Sequence, residues 1–293
     1  MEATPRLRPR LCYREHVASI AAPIHKPKRH PTRGDAIEAA AGRTPVLEVR
    51  NVDVAFGSKQ IFEDLSLTVY ESEVLVILGF SGSGKSVLLK LMSGLLEPDA
   101  GEILYRGTNI ASMNEDALVE MRKAMSHVFQ SNALFDSINV LENVGYGLLE
   151  HTKLGDEDIR ARVVECLKWV GLGTEVLTRM PAQLSGGMQK RVALARAVAT
   201  EPRIILYDDP TGGLDPISVT RIGDMIEHLQ KELRLTSVIV TGDMKIAFRV
   251  ADRLALIAHR HIAHLGTRDY YRECDAPEVI EFVRDPEGRE IRY

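Results

Sequence analysis

The segment EVLVILGFSGSGKS, residues 73–86, constrains the fold of this chain more than any other part of its sequence. Its first seven residues form a largely apolar run, which is typical of a strand covered on both faces. A glycine-rich loop follows, and the next residues, VLLKLMSGLL, look helical. Because the GxxxxGK[ST] pattern stands between a strand and a helix, it predicts a loop that cradles nucleotide phosphates rather than a chance Gly-rich turn.

The residue types of this loop suit phosphate binding. Glycines let successive backbone N–H groups converge on a phosphate without Cβ clashes, and the N-terminus of the next helix adds partial positive charge. Lys85 is expected to reach the outer phosphates and to act in catalysis, and Ser86 to offer its hydroxyl to Mg²⁺. The predicted nucleotide-binding residues here are Gly79, Ser81, Gly82, Ser83, Gly84, Lys85, Ser86 and Val87.

Two adjacent carboxylates end a second buried run, RIILYDD, at residues 203–209. Parallel α/β sheets build their ligand sites at the carboxyl ends of strands. We therefore expect Asp208 to hold the magnesium shell and Asp209 to orient or deprotonate the attacking water. Two acids at a strand end are, on their own, more often a turn or a helix cap. Together with the phosphate loop they predict a site for ATP and Mg²⁺.

The remaining pattern indicates an α/β domain with a largely parallel sheet. From Val46 onward, short β-branched runs alternate with longer amphipathic segments. VLEVRNVDVAF and IFEDLSLTVY resemble two edge strands with alternating faces, and TSVIVTG resembles a further buried strand. Residues 131–183 are richer in helical periodicity, which predicts a helical insertion. We place the domain at residues 46–270 and a C-terminal extension at residues 271–293.

Charge separates the first 45 residues from the rest of the chain. They carry nine Lys/Arg, four acids and six of the 13 prolines, and they show no sustained period of 2 or 3.6. This composition predicts a solvated basic tail, with an Arg-rich transit peptide as the alternative. The remaining residues are acidic overall, which disfavours a broad nucleic-acid-binding surface. Three widely spaced cysteines fit reduced thiols, and no stretch approaches the ~20 apolar residues that cross a bilayer.

The stretch LSGGMQKR, residues 184–191, resembles the signature of ATP-binding cassette (ABC) ATPases. Gln130, after the strand-like MSHVFQ, resembles their Q-loop glutamine, which implies a place in catalysis and in the metal shell. GGLDP, residues 212–216, resembles their D-loop. The resemblance implies a P-loop NTPase cassette with a mostly parallel core sheet, an antiparallel β edge subdomain and a helical insertion subdomain.

The same resemblance implies a head-to-tail homodimer with two sandwiched ATP molecules. The signature opens a helix, whose unpaired N–H groups can receive the γ-phosphate of the nucleotide on the opposite protomer. Phe56 matches the aromatic that stacks on adenine, although a lone Phe beside a strand is usually a core residue. The implied nucleotide contacts outside the phosphate loop are Phe56, Ser185, Gly186, Gly187 and Asp215.

A narrower resemblance concerns the transport system. FQSNALFDSINVLENV (129–144), GLLEHTKL (147–154) and the closing REIRY are similar to the ATPases of Mla/Mce-type lipid transporters. This implies movement of phospholipids or other hydrophobic substrates between membranes, a multi-pass permease as partner and, indirectly, a substrate-binding Mce/Mla-type protein. It implies no specific nucleic acid. The implied location is the cytoplasmic face of the inner membrane, or the stromal side of the plastid inner envelope if residues 1–45 are a transit peptide.

Two surfaces of this chain could serve such an assembly. The C-terminal extension has apolar anchors, Phe282, Ile291 and Tyr293, with which it could dock on the partner protomer. Apolar residues after Gln130 could form a lip for a short permease helix. We expect at least half of these apolar residues to pack inside the insertion instead. The full set is Leu134, Phe135, Ile138, Val140, Leu141 and Val144.

Two positions depart from the ABC pattern. The carboxylate after the magnesium Asp is normally Glu and is Asp209 here, and the usual switch histidine is replaced by Gly242. The shorter carboxylate is drawn back by about 1 Å, which can cost about 10²-fold in rate. The sequence therefore predicts ATP binding with slow or partner-dependent hydrolysis, with a regulatory ATP clamp or a soluble, non-transport ABC ATPase as alternatives. We interpret the histidines of HRHIAH, residues 259–264, as surface residues of a hairpin beyond the site.

Overall fold

The computed structural model describes residues 42–283. Residues 1–41 and 284–293 lie outside the described residues, and with them most of the predicted basic tail or transit peptide and the anchors Ile291 and Tyr293. The strands of the described part are β1 Pro45–Phe56, β2 Lys59–Tyr70, β3 Val74–Gly79, β4 Ala100–Tyr105, β5 Thr108–Asn109, β6 Met125–Val128, β7 Ile204–Asp208, β8 Thr236–Thr241, β9 Arg253–Ala258 and β10 His261–Gly266.

The α-helices of the described residues lie between and after these strands, with three in succession between β6 and β7. The first turn of each α-helix has unpaired backbone N–H groups, and several helices begin at a residue whose side chain accepts one of them. Asn139 does so at α3, where Glu142 completes a capping box. The α-helices are α1 Lys85–Met92, α2 Glu115–Lys123, α3 Val140–His151, α4 Asp156–Trp169, α5 Gly186–Ala199, α6 Pro216–Leu233, α7 Met244–Val250, α8 Arg268–Glu273 and α9 Pro277–Val283.

The larger sheet is mostly parallel. Its strand order is β10-β9-β3-β8-β7-β6, and only the β9–β10 pair is antiparallel. All residues of β3 and β8 are buried, as expected for central strands covered on both faces. This arrangement confirms the predicted α/β class, and it brings the carboxyl ends of β3, β7 and β8 to one edge of the sheet.

The smaller sheet is antiparallel, with the order β2-β1-β4-β5. The alternating strands β1 and β2 were expected, but the expectation that both are edge strands is wrong for β1. The strand β4 pairs with β1 on the side opposite β2, with Val49 facing Ile103 in the register. Sequence reasoning did not identify β4, because its AGEILY run is short and begins with residues of low β propensity.

The core has two parts, one on each face of the parallel sheet. Successive side chains of a strand point to opposite faces, so Val76 and Leu78 lie in one apolar cluster and Leu75 and Ile77 in the other. The first cluster contains residues of α3, α4, α5 and α6, and the second contains residues of α1 and of the antiparallel sheet. Within the described residues, no helix combines the length and apolarity needed to span a membrane.

Candidate functional site

The glycine loop joins the end of β3 to the start of α1 and depends on two left-handed glycines. Gly82 and Gly84 have φ values of 78° and 96°, a region that L side chains rarely adopt. A Cβ at Gly84 would also meet the ring of Phe62 and a methyl group of Ile61 at 2.7 Å. Ser81 is exposed on the loop, while Gly79 is buried at the end of β3.

Lys85, Ser86 and Val87 form the first turn of α1. Lys85 Nζ donates to the carbonyl oxygens of Gly79, at 2.7 Å, and Phe80, at 3.0 Å. Burial lowers the pKa of the Lys85 ammonium group, and the charges of the nearby carboxylates of Asp209 and Asp208 oppose this shift. The loop therefore places a half-buried cation next to the helix N-terminus, where anionic phosphate is favoured.

Two features of this loop fit a bound polyphosphate. The Oγ atom of Ser83 is buried and has no hydrogen-bond partner within residues 42–283, so it is a polar group left for a ligand. The first N–H groups of α1 have no partner inside the helix. A triphosphate, which has many acceptor oxygens, matches these donors.

The second acidic run meets the phosphate loop at the end of β7. Ser86 Oγ donates to Asp208 Oδ1 at 2.9 Å, which ties the first turn of α1 to the carboxyl end of the neighbouring strand. A hydroxyl and a carboxylate at this spacing are the oxygen donors that Mg²⁺ prefers, so the residues present fit a magnesium ion.

Asp209 follows β7 in a left-handed conformation, with φ of 44°. Asp is one of the few residue types enriched in this region. Its Oδ2 accepts from Gln130 Nε2 at 3.3 Å, and its Oδ1 accepts from Thr241 Oγ1 at 3.2 Å. The structure thus brings the predicted residues Lys85, Gln130 and Asp209 into one neighbourhood. It adds Thr241, which sequence reasoning missed; its position at the end of the neighbouring strand β8 was the available signal.

The signature segment begins α5 and faces solvent. Ser185 is the N-cap residue, its hydroxyl accepts from the N–H of Met188 at 3.3 Å, and Ser185 and Gly186 are exposed. At the other end of the segment, Lys190 Nζ donates to the carbonyl oxygen of Gln130 at 3.4 Å. Burial lowers the pKa of this lysine. The signature helix therefore contacts the Q-loop of its own chain and leaves its N-terminus open.

The acid of the D-loop motif is the N-cap of α6. Asp215 Oδ1 accepts from the N–H groups of Ile217 and Ser218, and its Oδ2 accepts from the Ser218 hydroxyl at 2.6 Å. The bond from the Ser218 hydroxyl is the main cause that lowers the pKa of the Asp215 carboxyl. Both oxygens of Asp215 are used by its own helix, so its predicted nucleotide contact stays a prediction. A Cβ on Gly187 would lie 3.8 Å from Ser218 Oγ, which places the starts of α5 and α6 side by side.

Comparison with known proteins decides the family. The family model described as ABC transporter matches residues 62–212. This chain belongs to the ABC transporter family. It is an ATP-binding subunit of that family and an ABC ATPase.

Two relatives carry different transport names. The protein named "Probable ribonucleotide transport ATP-binding protein mkl" of Mycobacterium leprae is 40% identical over 253 residues, which cover 85% of this chain and 72% of that protein. The protein named "Intermembrane phospholipid transport system ATP-binding protein MlaF" of Haemophilus influenzae is 38% identical over 249 residues, which cover 85% of this chain and 94% of that protein. The predicted resemblance to Mla-type ATPases is confirmed by the second.

A solved structure supports the cassette fold and the chemistry. The ATP-binding cassette MJ0796, in a dimeric post-hydrolysis state bound to ADP and Pi, matches with a TM-score of 0.70 and 31% identity over 76% of this chain and 98% of that chain. ABC cassettes dimerise, as this neighbour does. The predicted P-loop NTPase fold and the ATPase activity are thereby confirmed for this ABC ATPase.

The aromatic residue predicted to stack on adenine is exposed. Phe56 ends β1 and is 51% exposed, so it is not the core residue that an aromatic beside a strand usually is. An exposed aromatic face suits base stacking, and the role of Phe56 toward adenine stays a prediction.

The turn after β8 contains the second departure from the family pattern. Gly242 is exposed, and a Cβ built on it would meet no atom within 4 Å. The position therefore has room for a larger side chain, and the glycine is not required by close packing.

The β9–β10 hairpin corrects one expectation. The hairpin exists, but its histidines are not all surface residues, since the His264 side chain is only 17% exposed and its Nδ1 lies 2.9 Å from the Tyr270 hydroxyl. Nor is the hairpin beyond the site. Its turn, with His259 and Arg260, lines a cavity of about 370 Å³ together with Gly82 and Ser83. Strand alternation alone did not reveal that the C-terminal helices cover this hairpin.

The C-terminal helix α9 contacts the phosphate loop of its own chain. The rings of Phe282 and Phe80 lie 4.5 Å apart, and Phe282 packs against the core. Phe282 is therefore engaged within its own protomer. Docking of the C-terminal extension on the partner protomer stays a prediction, and its other anchors, Ile291 and Tyr293, lie outside the described residues.

At least half of the apolar residues after Gln130 pack inside the insertion, as expected. Val140 and Val144 are fully buried, and Leu134 and Leu141 pack against the same core. Phe135 is 44% exposed, and its ring lies 4.9 Å from that of Tyr146, a residue that sequence reasoning did not include. The exposed residues Phe135, Tyr146 and Leu149 form what we call the insertion patch.

Proposed function

We propose that this ABC ATPase powers the movement of phospholipids or other hydrophobic substrates between membranes. The observation that carries the proposal is the match to a phospholipid transport ATP-binding protein over 94% of that relative's length. Two contacts at the phosphate loop support it: Lys85 Nζ donates to the carbonyl oxygen of Gly79, and Ser86 Oγ donates to Asp208 Oδ1.

The dimer we propose is head-to-tail, with two ATP molecules between the protomers. The exposed start of α5 offers backbone N–H groups, and no hydrogen bond within residues 42–283 joins Ser185 to the phosphate loop of its own chain. A second protomer can bring its own α5 N-terminus to the γ-phosphate. Each composite site would then contain Lys85 of one protomer and Ser185 of the other.

Asp208, Ser86 and Gln130 would hold Mg²⁺ in this site. When bound, the ion would neutralise negative charge on the outer phosphates. The chain's own residues do the rest. Lys85 binds the outer phosphates, Ser83 and the first N–H groups of α1 orient them, and Asp209 positions the attacking water or accepts its proton.

We propose that hydrolysis is slow or depends on a partner. The groups that bind phosphate are present, whereas Asp209 is one methylene shorter than Glu and Gly242 has no side chain. Loss of reach at a water-positioning group costs about 10²-fold when the geometry is tight. A subunit that only closes on ATP and regulates its partners is the extreme form of this proposal.

The partners we propose are a second copy of this chain and a multi-pass permease, with a substrate-binding Mce/Mla-type protein contacting the permease. The insertion patch is the surface proposed for the permease, because exposed apolar clusters mark interaction sites. The chain would then lie peripherally on the cytoplasmic face of the inner membrane.

Gentle extraction of the complex from its native membrane tests these proposals. We expect the full-length chain to copurify with a multi-pass protein, and the reconstituted complex to transfer fluorescent phospholipid between vesicles only with ATP. A complex that transports radiolabelled ribonucleotide instead, as the name of the mycobacterial relative suggests for that protein, would overturn the lipid assignment. A chain extracted without any membrane protein would favour a soluble ABC ATPase.

A further inference from the structure

The last residue of β8 donates a hydrogen bond from its hydroxyl to the carboxylate of Asp209. Thr241 is fully buried, and its Oγ1 lies 3.2 Å from Asp209 Oδ1. The same oxygen accepts the backbone N–H of Asp243 at 3.0 Å. An amide N–H can only donate and an ionised carboxylate can only accept, so the hydroxyl proton of Thr241 points to Asp209.

The contacts of Asp209 differ in how firmly they are fixed. Its backbone N–H donates to the carbonyl oxygen of Val240 at 2.8 Å, which anchors the main chain to β8. The second carboxylate oxygen accepts from Gln130, whose side chain belongs to an exposed residue. Thr241 belongs to a fully buried strand and is β-branched, so its rotamer is restricted. Among these side chains, Thr241 is the rigid one.

We infer that Thr241 is a positioning residue for ATP hydrolysis, which fixes the orientation of the short Asp209 carboxylate through its hydroxyl. The inference rests on the proposed role of Asp209. The inference also gives the end of β8 a function in this chain. Gly242 has no side chain to act there, and Thr241, the residue before it, supplies a hydroxyl instead. A misplacement of a reacting group by about 1 Å can cost about 10²-fold, so loss of this contact should slow hydrolysis without weakening nucleotide binding.

The test uses the full-length protein and single-turnover ATP hydrolysis with enzyme in excess. Thr241→Val keeps the shape of the side chain and removes the hydroxyl, and Thr241→Ser keeps the hydroxyl. We expect Thr241→Val to lower the rate constant about tenfold or more, and Thr241→Ser to stay within about threefold of the wild type. The Kd for a nonhydrolysable ATP analogue should change by less than about twofold in both, because the phosphate-binding groups are untouched.

A matched control lies at the other end of the same strand. Thr236 is 4% exposed, and its hydroxyl oxygen accepts the N–H of Ser72 at 2.9 Å, as that of Thr241 accepts the N–H of Asp243. Thr236→Val therefore removes an equivalent acceptor from β8 without touching Asp209. It should leave the rate constant unchanged. If it slows hydrolysis as much as Thr241→Val does, the effect is a general weakening of β8 and the inference is overturned.

Combination with Asp209→Ala separates the inference from the proposed function. If Thr241 acts through Asp209, adding Thr241→Val to Asp209→Ala causes no further loss. If Asp209→Ala hydrolyses ATP at the wild-type rate, the proposed role of Asp209 is wrong. If Asp209→Ala is slow but Thr241→Val has the wild-type rate, only the inference about Thr241 is overturned. If Thr241→Val does not fold, Thr241→Ala and Thr241→Ser form a second pair that differs by one oxygen, and equal rates in that pair would overturn the inference.

Discussion

At the scale of single residues, the groups proposed to bind nucleotide are distinct from those proposed to act in hydrolysis. Lys85 and Ser86 are held by contacts of 2.7 and 2.9 Å to the loop carbonyl of Gly79 and to Asp208. None of these contacts involves the two positions that depart from the family pattern. Asp209 and Gly242 lie at the ends of β7 and β8, and we propose that these two positions act on the attacking water and the γ-phosphate during hydrolysis rather than on the initial binding of nucleotide. Substitution at these two positions should therefore change turnover and leave affinity intact.

Restoring the usual residues should accelerate hydrolysis. We expect the double variant Asp209→Glu, Gly242→His to raise kcat about tenfold or more, because Glu extends the carboxylate by about 1 Å and His supplies a missing contact to the γ-phosphate. The open space around Gly242 can accept the imidazole. Steady-state phosphate release measures kcat, and the Kd for a nonhydrolysable analogue should stay the same.

The matched control for this variant is Gly155→His. Gly155 is also exposed with no atom within 4 Å of a built Cβ, but it lies before α4 in the insertion. This substitution should not change kcat. An unchanged kcat in the double variant would show that neither departure limits hydrolysis.

At the scale of elements, the loop between Gln130 and α3 is fixed from two helices. Arg196 of α5 donates to the carbonyl oxygens of Asn132 and Ala133, both of which have positive φ. Asn143 of α3 is fully buried, accepts the N–H of Phe135 and donates to the carbonyl oxygen of the same residue. These polar contacts hold the irregular backbone that presents Phe135. The insertion patch is therefore a preformed surface.

Removal of the Asn143 side chain should destabilise the insertion. Its Nδ2 also donates to the carbonyl oxygen of Ile138, so Asn143→Ala leaves this carbonyl and the N–H of Phe135 without the partner they have now. An unsatisfied buried group costs about 1–3 kcal/mol, and we expect a loss of about 2 kcal/mol or more in the free energy of unfolding. Urea unfolding measures it. The control Asn114→Ala removes only the exposed N-cap of α2, for about 1 kcal/mol, and an equal loss in both would contradict the prediction.

The insertion patch gives a prediction about assembly. Tyr146→Ala should raise the Kd for the permease about 30-fold and so lower the amount that copurifies, because truncation of an aromatic anchor typically costs about 2 kcal/mol of binding. Stability should change little, since Tyr146 is 43% exposed. The control is Val119→Ala, which truncates an apolar side chain of α2 that is 42% exposed. Retention of the permease by Tyr146→Ala would place its contact elsewhere.

At the scale of the whole molecule, local patterns predicted the parallel sheet and the loop but not the contacts between distant segments. The buried run of β3 and the glycines after it are patterns of consecutive residues, so they could be recognised from the sequence alone. The bond between Thr241 and Asp209 joins residues 32 positions apart, and the contact between Phe80 and Phe282 joins the phosphate loop to the last described helix. Such contacts depend on how elements pack. For the same reason β1 became an inner strand and His264 a covered residue.

The assembled molecule gives the last prediction, because the proposed dimer would complete each site. Ser185→Arg places a long cation at the exposed start of α5, where the opposite protomer is proposed to present its nucleotide. We expect this variant to bind ATP analogue normally through its own phosphate loop but to remain monomeric, whereas the wild type becomes dimeric with the analogue and Mg²⁺. Light scattering coupled to size exclusion measures the mass. Ser112→Arg, at an exposed serine of a 3₁₀ turn, should still dimerise. A dimer of unchanged stability in Ser185→Arg would mean that the signature helix does not face the second protomer, and Lys85 and Ser185 would then belong to separate sites.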